Sequence, residues 1–430
     1  MRILVVGQAA REHAIIWKLR QSPLVKEVYA APGNAGIAAL ADCVNIGVAD
    51  IIELADFAEK LKMDLTIVGP ELPLTLGIVD EFQKRGLTIF GPTRLAAELE
   101  GSKVFSKEFM RKYNIPTAEA KACSSVEEAR DAIKSFGYPA VVKVDGLAAG
   151  KGVVVVQSKK EADDYLRMVF EDKKFGNAAA RILVEEYLEG EEVSFMVITD
   201  GKKFVSLAPA KDYKKAFDGD SGPNTGGMGS HSPAVVLGGE VAAEIVKTII
   251  IPTIQGMESE GRSYSGCLYA GVMLTSKGPR ALEYNCRFGD PETQVQMLRL
   301  EDDLAELCLK VANGSLGDTK LNWKKEAAAC VVVAVDGYPD EFLKGQEVAI
   351  DPLSDPAVHV FHAGTIRKGE KLVNVAGRVV SVCAHAATLG EALTKVYEAV
   401  PKIRVEGARY RRDIGYLALE RRKQAASESS

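Results

Sequence analysis

Short apolar runs alternate with helix-like amphipathic stretches over the first hundred residues of the chain. The runs Ile3–Val6, Glu27–Ala30, Leu65–Val68 and Thr88–Phe90 are predicted to be buried strands, and each ends close to a glycine or a proline. Because a helical pattern separates successive runs, this part of the chain predicts an open, mostly parallel α/β sheet. Such sheets bind ligands at the carboxyl ends of their strands, where these turns lie.

Beyond residue 102 the pattern becomes a mixture of hairpins and helices, typical of an α+β arrangement. The predicted strands are Pro139–Val144, Gly152–Gln157, Arg181–Glu186, Glu192–Thr199, Cys267–Leu274, Arg280–Asn285, Ala327–Val335, His359–Gly364 and Gly377–Ala384. One helix is predicted to begin near Lys103 and to end before Ile115, and further helices are predicted over Val126–Ser135, Lys160–Phe170 and Val241–Met257. The segment Lys211–Ser232 is predicted to be a polar loop. We therefore expect three domains, over residues 1–102, 103–325 and 326–430, the last of them a small mixed α/β domain with a polar tail.

Composition adds limits to this picture. Of 430 residues, 47% are hydrophobic and 26% are charged, and the net charge is -5. These values predict a soluble, cytoplasmic protein that binds neither nucleic acid nor a membrane. The seven cysteines contain no Cys-x-x-Cys pair, which favours reduced thiols over disulfides or a zinc site. Cys286 lies inside the most informative motif, but we interpret it as a small buried residue rather than a reactive one.

That motif is the segment Leu282–Glu292, which follows a predicted strand. Glu283 and Asn285 lie two residues apart, so their side chains project from the same face of the strand. A carboxylate and an amide oxygen are hard ligands that suit Mg²⁺, which usually shares its coordination sphere with substrate phosphates. If the strand continues, Arg287 follows on that face, where it could neutralise a transferring phosphoryl group or bind a carboxylate. The competing interpretation is a solvated strand end, which the unusual Arg-Phe-Gly-Asp-Pro-Glu continuation disfavours.

The segment Lys143–Gly152 combines small residues with a lysine at each side. Small residues let backbone N–H groups approach phosphates closely. It is not a Walker A loop, because Gly152 stands where a hydroxyl residue is required and an apolar strand follows instead of a helix. A glycine-rich hairpin over nucleotide phosphates fits better, with a flexible surface hairpin as the alternative.

Three further segments carry weaker signals. The acidic link Val184–Glu192 could present backbone groups to an adenine and a carboxylate to a ribose, although such links are usually only solvated. The loop Asp218–Gly229 is long and glycine-rich, which favours a binding loop. Gly7 meets one position of a dinucleotide fingerprint, so a dinucleotide site is poorly supported, but the helix that follows could hold one phosphate with Arg11. We interpret His13 as a packing or capping residue.

Taken in order, these segments resemble the ATP-grasp superfamily and, within it, the glycinamide ribonucleotide synthetase family. The resemblance covers nearly the whole chain. The matching motifs are Gly7…Arg11-Glu12-His13-Ala14, Ala31–Gly36, Val68–Glu71, Phe90-Gly91-Pro92, Glu100–Lys103, Asp145–Val153, Gly222–Gly229, Asn285–Gln294 and Tyr410–Gly415. So many specific motifs in one order make coincidence an unsatisfactory explanation.

The resemblance implies a fold, a reaction and a set of roles. Residues 103–325 would be an ATP-grasp domain whose lid, about residues 123–192, is mobile. ATP and Mg²⁺, with Mn²⁺ as an alternative cation, would convert glycine to glycyl phosphate, and the amine of 5-phosphoribosylamine would attack it to form an amide. ATP would be held by Lys103, Lys143, Gly146, Ala149, Gly150, Lys151, Gly152, Glu185, Tyr187, Leu188 and Glu191 or Glu192, and the cation by Glu283 and Asn285. Glycine and the acyl phosphate would be held by Arg287, Asp212, Asn224, Thr225, Gly226 and Gly227. Phosphoribosylamine would be bound by Gly7, Arg11, Pro32, Gly33, Asn34, Gly69, Pro70, Glu71 and Arg411. Arg287, Asp212 and Lys143 would be the catalytic residues.

The chain departs from the family pattern in three places. Gln8-Ala9-Ala10 replaces a richer glycine turn, and Tyr213 stands where the family often has a histidine. The strand Leu268–Leu274 lacks the extra carboxylate that many ATP-grasp enzymes place before the Glu-x-Asn strand. We therefore expect the cation to depend on Glu283 and Asn285 together with ATP oxygens and water.

Two other functions remain open at this point. One is a different carboxylate–amine ligase or a carboxylase subunit, although no biotinyl-lysine motif accompanies the site. The other is an ATP-binding regulatory module without catalysis, which would leave the metal pair, Arg287 and both lysines unexplained. For the quaternary structure we expect a monomer or a weak homodimer with small-molecule substrates.

Overall fold

The computed structural model describes residues 1–147, 152–172, 174, 176, 181–234 and 236–421. Within these residues, no helix has both the length and the apolar character needed to cross a membrane. The predicted fold class, a multidomain α/β and α+β protein, is confirmed.

The first hundred residues form a five-stranded parallel sheet. Its strands are β1 (Arg2–Gly7), β2 (Glu27–Pro32), β3 (Asp42–Cys43), β4 (Leu65–Val68) and β5 (Ile89–Phe90), in the order β3-β2-β1-β4-β5. The helices are α1 (Ala10–Leu19), α2 (Ile51–Lys60), α3 (Glu71–Leu76), α4 (Ile78–Lys84) and α5 (Arg94–Gly101). Residues Ile3–Val6 are completely buried, which explains why their run is apolar without alternation. The strand order reverses at β1, so the ligand crevice is expected beyond Gly7.

The next unit has a core of its own. Helix α6 (Lys103–Lys112) leads into β6 (Ala120–Cys123), α7 (Val126–Phe136), β7 (Ala140–Val144), β8 (Val153–Val156), α8 (Lys159–Phe170) and β9 (Ile182–Glu186). The four strands pair antiparallel in the order β6-β9-β7-β8, and their apolar side chains pack with those of α7 and α8 in a separate cluster. This unit corresponds to the expected lid, whose mobility stays a prediction.

A second antiparallel sheet carries the Glu-x-Asn motif. Its strands are β10 (Glu191–Asp200), β11 (Phe204–Ser206), β16 (Ser265–Thr275) and β17 (Gly278–Asn285), in the order β11-β10-β16-β17. Helices α9 (Gly239–Ile245), α10 (Ile251–Ser259), α11 (Glu292–Arg299) and α12 (Leu304–Ala312) accompany it. The continuous helix predicted over Val241–Met257 is instead divided by a π turn at Val246–Ile250, next to Pro252, which has no N–H to continue the α ladder.

The C-terminal sheet is built from distant parts of the chain. It has the order β12 (Lys211–Asp212), β15 (Gly229–Ser232), β18 (Ala327–Val335), β23 (Arg378–Ala386) and β20 (Val358–His362), with β25 (Ala408–Arg409) also paired to β18. There are also three two-stranded ribbons: β13 (Lys215–Phe217) with β14 (Ser221–Asn224), β19 (Val348–Ile350) with β24 (Ile403–Val405), and β21 (Thr365–Lys368) with β22 (Lys371–Asn374). Helix α13 (Leu389–Ala399) packs on the six-stranded sheet.

The prediction of a polar loop over Lys211–Ser232 was therefore wrong. The segment contains four short strands, β12 to β15, two of which join the C-terminal sheet. Strands of two to four residues are too short to display an alternating pattern, and these gain their order from β18, a strand about a hundred residues later. A sheet thus crosses the predicted boundary at residue 325, and the domain limits stay a prediction.

Candidate active site

A cleft of about 1640 Å³ lies between the N-terminal sheet, the lid unit and the two antiparallel sheets. The predicted site residues that line it are Arg11, Gly33, Asn34, Pro70, Glu71, Lys103, Lys143, Gly152, Glu185, Tyr187, Leu188, Glu191, Glu192, Asp212, Asn224, Thr225, Gly226, Glu283, Asn285 and Arg287. Gly7, Pro32, Gly69, Gly146, Gly227 and Arg411 are not on its surface. Ala149, Gly150 and Lys151 lie outside the described residues.

At one end of the cleft a buried carboxylate is held between two lysines. Glu185 on β9 accepts ion pairs from Lys143 Nζ at 2.9 Å and Lys107 Nζ at 3.1 Å, and all three side chains are at most 6% exposed. Burial lowers the pKa of Lys107 to about 8 despite the neighbouring Glu185. Sequence reasoning missed Lys107, although it lies one helical turn after Lys103 and therefore on the same side of α6.

The glycine-rich segment is anchored to the beginning of α6. Ser102 caps the helix and its hydroxyl donates to Asp145 Oδ1 at 2.9 Å, while the N–H of Val104 donates to the same oxygen at 2.9 Å. Lys103 Nζ donates to the Gly146 carbonyl at 3.1 Å. Burial lowers the pKa of Lys103. The start of the predicted phosphate loop is thus joined to a lysine that faces the cleft.

Glu283 and Asn285 face the cleft from the edge strand β17. The residue opposite Glu283 on β16 is Gly271, so no carboxylate is presented from that position. Burial opposes ionisation of Glu283, but the charges of Lys214, Lys143 and Lys103 prevail and lower its pKa to about 2. Lys214 Nζ lies 3.5 Å from Glu283 Oε1 and also pairs with Glu192.

This donor set fits a magnesium ion that is shared with a phosphate ligand. Glu283 is ionised at neutral pH, and Asn285 Oδ1 accepts one hydrogen bond, from Arg287 Nη2 at 3.1 Å, which leaves a lone pair for a cation. In the described part of the chain, no group of three or more His, Cys, Asp and Glu side chains could enclose a metal ion. A cation would therefore complete its coordination sphere with ligand oxygens and water.

Arg287 is held by two carboxylates of the N-terminal unit. Its Nε lies 3.3 Å from Glu71 Oε2 and its Nη2 lies 3.2 Å from Glu100 Oε1. Glu100 also accepts hydrogen bonds from the backbone N–H of Cys286 at 2.7 Å and from its thiol at 3.0 Å. Burial raises the pKa of Glu100, although Arg287 opposes the rise. Sequence reasoning missed Glu100 as a site residue. Cys286 is buried, as expected, and donates hydrogen bonds to the Glu100 carboxylate.

Asp212 lies at the end of β12, with a carboxylate oxygen that has no hydrogen-bond partner among the described residues. Burial and the nearby Glu292 raise its pKa well above the usual range. Glu292 Oε1 accepts a hydrogen bond from Ser194 Oγ at 2.9 Å, and this buried residue was also missed. Asp212 lines the cleft, and its unpaired carboxyl oxygen can accept a hydrogen bond from an amine or ammonium donor.

The turns after β1 and β4 are shaped around one glutamate. Glu12 Oε2 accepts the N–H of Ala9 at 2.6 Å, and Glu12 Oε1 pairs with Arg11 Nε at 2.5 Å. A Cβ on Gly7 or on Gly69 would lie 2.5 or 2.0 Å from the Glu12 side chain, so both positions require glycine. Arg11 Nη1 also donates to the Phe288 carbonyl at 3.2 Å, so its guanidinium is partly engaged within the protein.

Two more predicted substrate residues have structural partners. Asn34 donates to the carbonyls of Gln8 and His362 and accepts the N–H groups of Gly36 and Ile37, which closes the loop after β2. His13 accepts the N–H of His362 at 2.8 Å and packs against its ring, which agrees with its interpretation as a packing residue.

The burial and the contacts of Arg411 do not support the substrate role that the resemblance implied. Its side chain is completely buried, and it makes two 2.7 Å hydrogen bonds to Asp413 and one of 2.6 Å to Asp220. It donates in addition to the Lys215 carbonyl and lies over the ring of Tyr213. These contacts fix the β13–β14 ribbon to the C-terminal segment.

The parallel N-terminal sheet, the lid unit over a second sheet, and the carboxylate–amide pair facing lysines together define an ATP-grasp enzyme. Models of the phosphoribosylglycinamide synthetase family match three parts of the chain: the N domain at residues 1–100, the ATP-grasp (A) domain at 101–293 and the C domain at 328–417. The chain belongs to the phosphoribosylglycinamide synthetase family.

Individual relatives agree with this assignment. The chain is 47% identical over 428 residues to the phosphoribosylamine–glycine ligase of Haemophilus influenzae, which covers 99% of this chain and 100% of the relative. The crystal structure of phosphoribosylamine–glycine ligase from Thermotoga maritima superposes with a TM-score of 0.83 at 35% identity, over 96% of this chain and 100% of that one. The biotin carboxylase domain of the Hydrogenobacter thermophilus 2-oxoglutarate carboxylase, at 16% identity and a TM-score of 0.73, covers 95% of this chain and 91% of its own, and shares the fold.

Proposed function

We propose that this cleft joins glycine to 5-phosphoribosylamine at the expense of ATP, as the names of its relatives indicate. A carboxylate oxygen of glycine attacks the γ-phosphorus of ATP, and ADP leaves. The amine nitrogen of phosphoribosylamine then attacks the acyl carbon of glycyl phosphate, phosphate leaves, and the nitrogen loses a proton. The observation that carries this proposal is the meeting of Lys143, Glu283 and Arg287 in one cleft that also reaches the N-terminal turns.

The nucleotide end of the cleft is assigned to ATP. Lys103 and Lys143 supply positive charge for its phosphates, and their positions are fixed by contacts with Gly146 and Glu185. Tyr187 and Leu188 line the cleft and would meet the adenine, and Glu191 or Glu192 would meet the ribose. Phosphoryl transfer needs positioning and charge neutralisation more than covalent chemistry, which is what these residues provide.

Magnesium, when bound by Glu283 and Asn285, would supply additional charge neutralisation to the phosphates. Arg287 would orient the carboxylate of glycine and the acyl phosphate made from it. Its pairing with Glu71 and Glu100 holds the guanidinium in place before the substrate arrives, so less ordering is needed on binding. Asp212 would accept a hydrogen bond from the amino group of glycine.

The far end of the cleft is assigned to phosphoribosylamine. Gly33, Asn34, Pro70 and Glu71 line it at the carboxyl edge of the parallel sheet, where backbone groups of the loops are available to a sugar phosphate. Glu71 also pairs with Arg287, which connects this wall to the reacting centre.

The test is a measurement of ADP release by purified protein with ATP, Mg²⁺, glycine and freshly prepared phosphoribosylamine. We expect release that requires both glycine and the amine, with glycinamide ribonucleotide formed in equal amount. Release that depends on bicarbonate or on a different amino acid would contradict the proposal, and so would ATP binding without release under any combination of these substrates.

A further inference from the structure

An arginine of the C-terminal sheet reaches the reacting centre. Arg378 is the first residue of β23, and its guanidinium lines the cleft. Its Nη1 donates to the Gly226 carbonyl at 2.5 Å and to the Asp290 carbonyl at 3.1 Å, and its Nη2 pairs with Asp290 Oδ2 at 3.2 Å. One side chain therefore connects three segments that are remote in sequence.

Tyr338, in the turn that follows β18 of the same sheet, completes this contact. The hydroxyl of Tyr338 accepts the N–H of Gly226 at 3.0 Å. Its ring packs so closely on Gly377 that a Cβ there would lie 2.2 Å from Tyr338 Cδ2. Gly226 is thus held at its N–H by Tyr338 and at its carbonyl by Arg378, so its backbone is fixed from the C-terminal side.

The position of this loop determines the shape of the wall beside Asp212. A Cβ on Gly227 would lie 2.8 Å from Asp212 Oδ1 and 2.4 Å from Pro291 Cδ, and the residue has φ +108°. The loop therefore lies against both the unpaired carboxyl oxygen and the Asp290-Pro291 turn. A small movement of Gly226 would change the room available next to Asp212.

We propose that Arg378 and Tyr338 are positioning residues through which the C-terminal sheet sets the geometry of the carboxylate-binding half of the cleft. The inference rests on the proposed function, which assigns Asp212, Arg287 and the Asn224–Gly227 loop to glycine. The competing explanation is a structural staple that contributes only to folding. The carbonyl and carboxylate partners of Arg378 favour positioning, because they lie on the wall that the substrate would touch.

The geometry makes a specific demand on residue 378. A guanidinium presents several N–H groups in a fixed plane, whereas an ammonium group is a single point donor on a flexible stem. Lysine at this position can satisfy one of the oxygens of Gly226 and Asp290, but it cannot reproduce the arrangement. If Arg378 contributes only to folding, replacement by lysine should have little effect, because the positive charge is retained. If Arg378 positions the loop, the same replacement should reduce activity.

The experiment compares R378K, R378M and Y338F with the wild type in the four-component assay, with KM for glycine and for ATP measured separately. We expect R378M to lower kcat/KM for glycine by about a hundredfold, because small misplacements of a reacting group have effects of this size. R378K should recover little of that loss, and Y338F should lose about tenfold. KM for ATP should change less than about threefold in all three variants, because Arg378 and Tyr338 bond to Gly226 and Asp290, neither of which is assigned to ATP.

Arg404 provides the matched control, because it belongs to the same domain, pairs with Asp351 and is largely exposed. R404M should leave every kinetic parameter within about twofold of the wild type. Thermal melting of each variant separates the two explanations. A loss of kcat in proportion to the loss of folded protein, with KM for glycine unchanged, would overturn the positioning role, and so would full activity of R378K.

Failure of this inference is distinguishable from failure of the proposed function. If the wild type shows no glycine-dependent ADP release, the proposed function fails and the positioning role with it. If the wild type is active and R378M retains wild-type kcat/KM for glycine, the proposed function stands and the role of Arg378 is excluded.

Discussion

The two halves of the cleft are built in different ways. In the nucleotide half, Lys107 and Lys143 project from a helix and a strand and meet the carboxylate of Glu185, so side chains on regular elements form the surface. In the carboxylate half, the side chains of Arg287 and Asp212 lie beside the Asn224–Gly227 loop, whose backbone at Gly226 is held by Arg378 and Tyr338.

This difference affects which substitutions should impair each half of the cleft. Charges on strands are recognisable from the sequence, and their loss should reduce nucleotide binding directly. A backbone surface has no side chain of its own to mutate, so its function depends on residues that hold it from a distance. The following predictions separate these two cases, from the largest expected effect to the smallest.

Glu283→Gln should nearly abolish turnover, with kcat falling by about a thousandfold, because the ionised carboxylate that would hold the cation becomes neutral. The measurement is ADP release at increasing Mg²⁺ concentration. Glu240→Gln, at an exposed position of α9, is the matched control and should behave as the wild type. Near-normal activity of Glu283→Gln at saturating Mg²⁺ would show that the cation site lies elsewhere.

Glu185→Gln should raise KM for ATP by about a hundredfold and destabilise the lid unit by about 3 kcal/mol, because two buried ammonium groups lose their shared counter-charge. KM for glycine should change far less. Titration of ATP and thermal melting measure the two effects. The control is Glu127→Gln, at an exposed position in the first turn of α7 in the same unit and away from the cleft. Equal effects on ATP and glycine would remove the distinction between the two halves.

Arg411→Met should destabilise the protein by about 3 kcal/mol while the folded fraction keeps kcat and both KM values within about threefold of the wild type. The reason is that Arg411 is enclosed by Asp413 and Asp220 and does not line the cleft. Chemical denaturation and kinetics at low temperature check the two parts. A large, selective rise in KM for phosphoribosylamine in a stable variant would restore its role as a substrate residue.

The smallest expected effect concerns the contact between α1 and β20. Burial lowers the pKa of His13 to about 3 and that of His362 to about 4, from an ordinary value of 6.5. The folded protein keeps both imidazoles neutral while the unfolded chain takes up protons below pH 6.5. Their contribution to stability is therefore complete above pH 6.5 and is lost as the pH falls from 6.5 toward 4.

His13→Gln should reduce this pH dependence, because one of the two titrating groups is removed while a hydrogen-bond acceptor is retained. The slope of the unfolding free energy between pH 6.5 and 4 should become shallower by at most about 1.4 kcal/mol per pH unit. Denaturation at several pH values measures it, with the interval from pH 7 to 8 as the internal control. An unchanged slope would contradict the assignment of a neutral, buried His13.

Much of the fold and part of the site were predictable from the sequence. Four of the five parallel strands of the N-terminal sheet and the β16–β17 hairpin follow from apolar runs and turn residues and were predicted within a few positions, whereas the two-residue strand β3 was missed. The shared face of Glu283 and Asn285 followed from strand periodicity, whereas Arg287 lies beyond the end of β17. Lys107 was missed but carried a signal, since it repeats Lys103 after one helical turn.

Glu100 and Glu292 carried no comparable signal of their own. Glu100 was included in the Glu100–Lys103 motif, but it is the next-to-last residue of α5 and pairs with Arg287 across a gap of 187 positions, a contact that local periodicity does not encode. Glu292 was included in a motif, but its burial beside Asp212 depends on where β12 pairs. The strands β12 and β15 were taken for a loop because two to four residues display no pattern.

The sequence by itself determined the class of chemistry. Hydrophobic periodicity is local, and so is the spacing that places a carboxylate and an amide on one strand face, so both could be recognised without coordinates. Only the tertiary structure decided which charged groups meet. Ion pairs such as Arg378 with Asp290 and Arg411 with Asp413 and Asp220 depend on packing between distant segments. This packing leaves Arg378 on the wall of the cleft and encloses Arg411 in the fold.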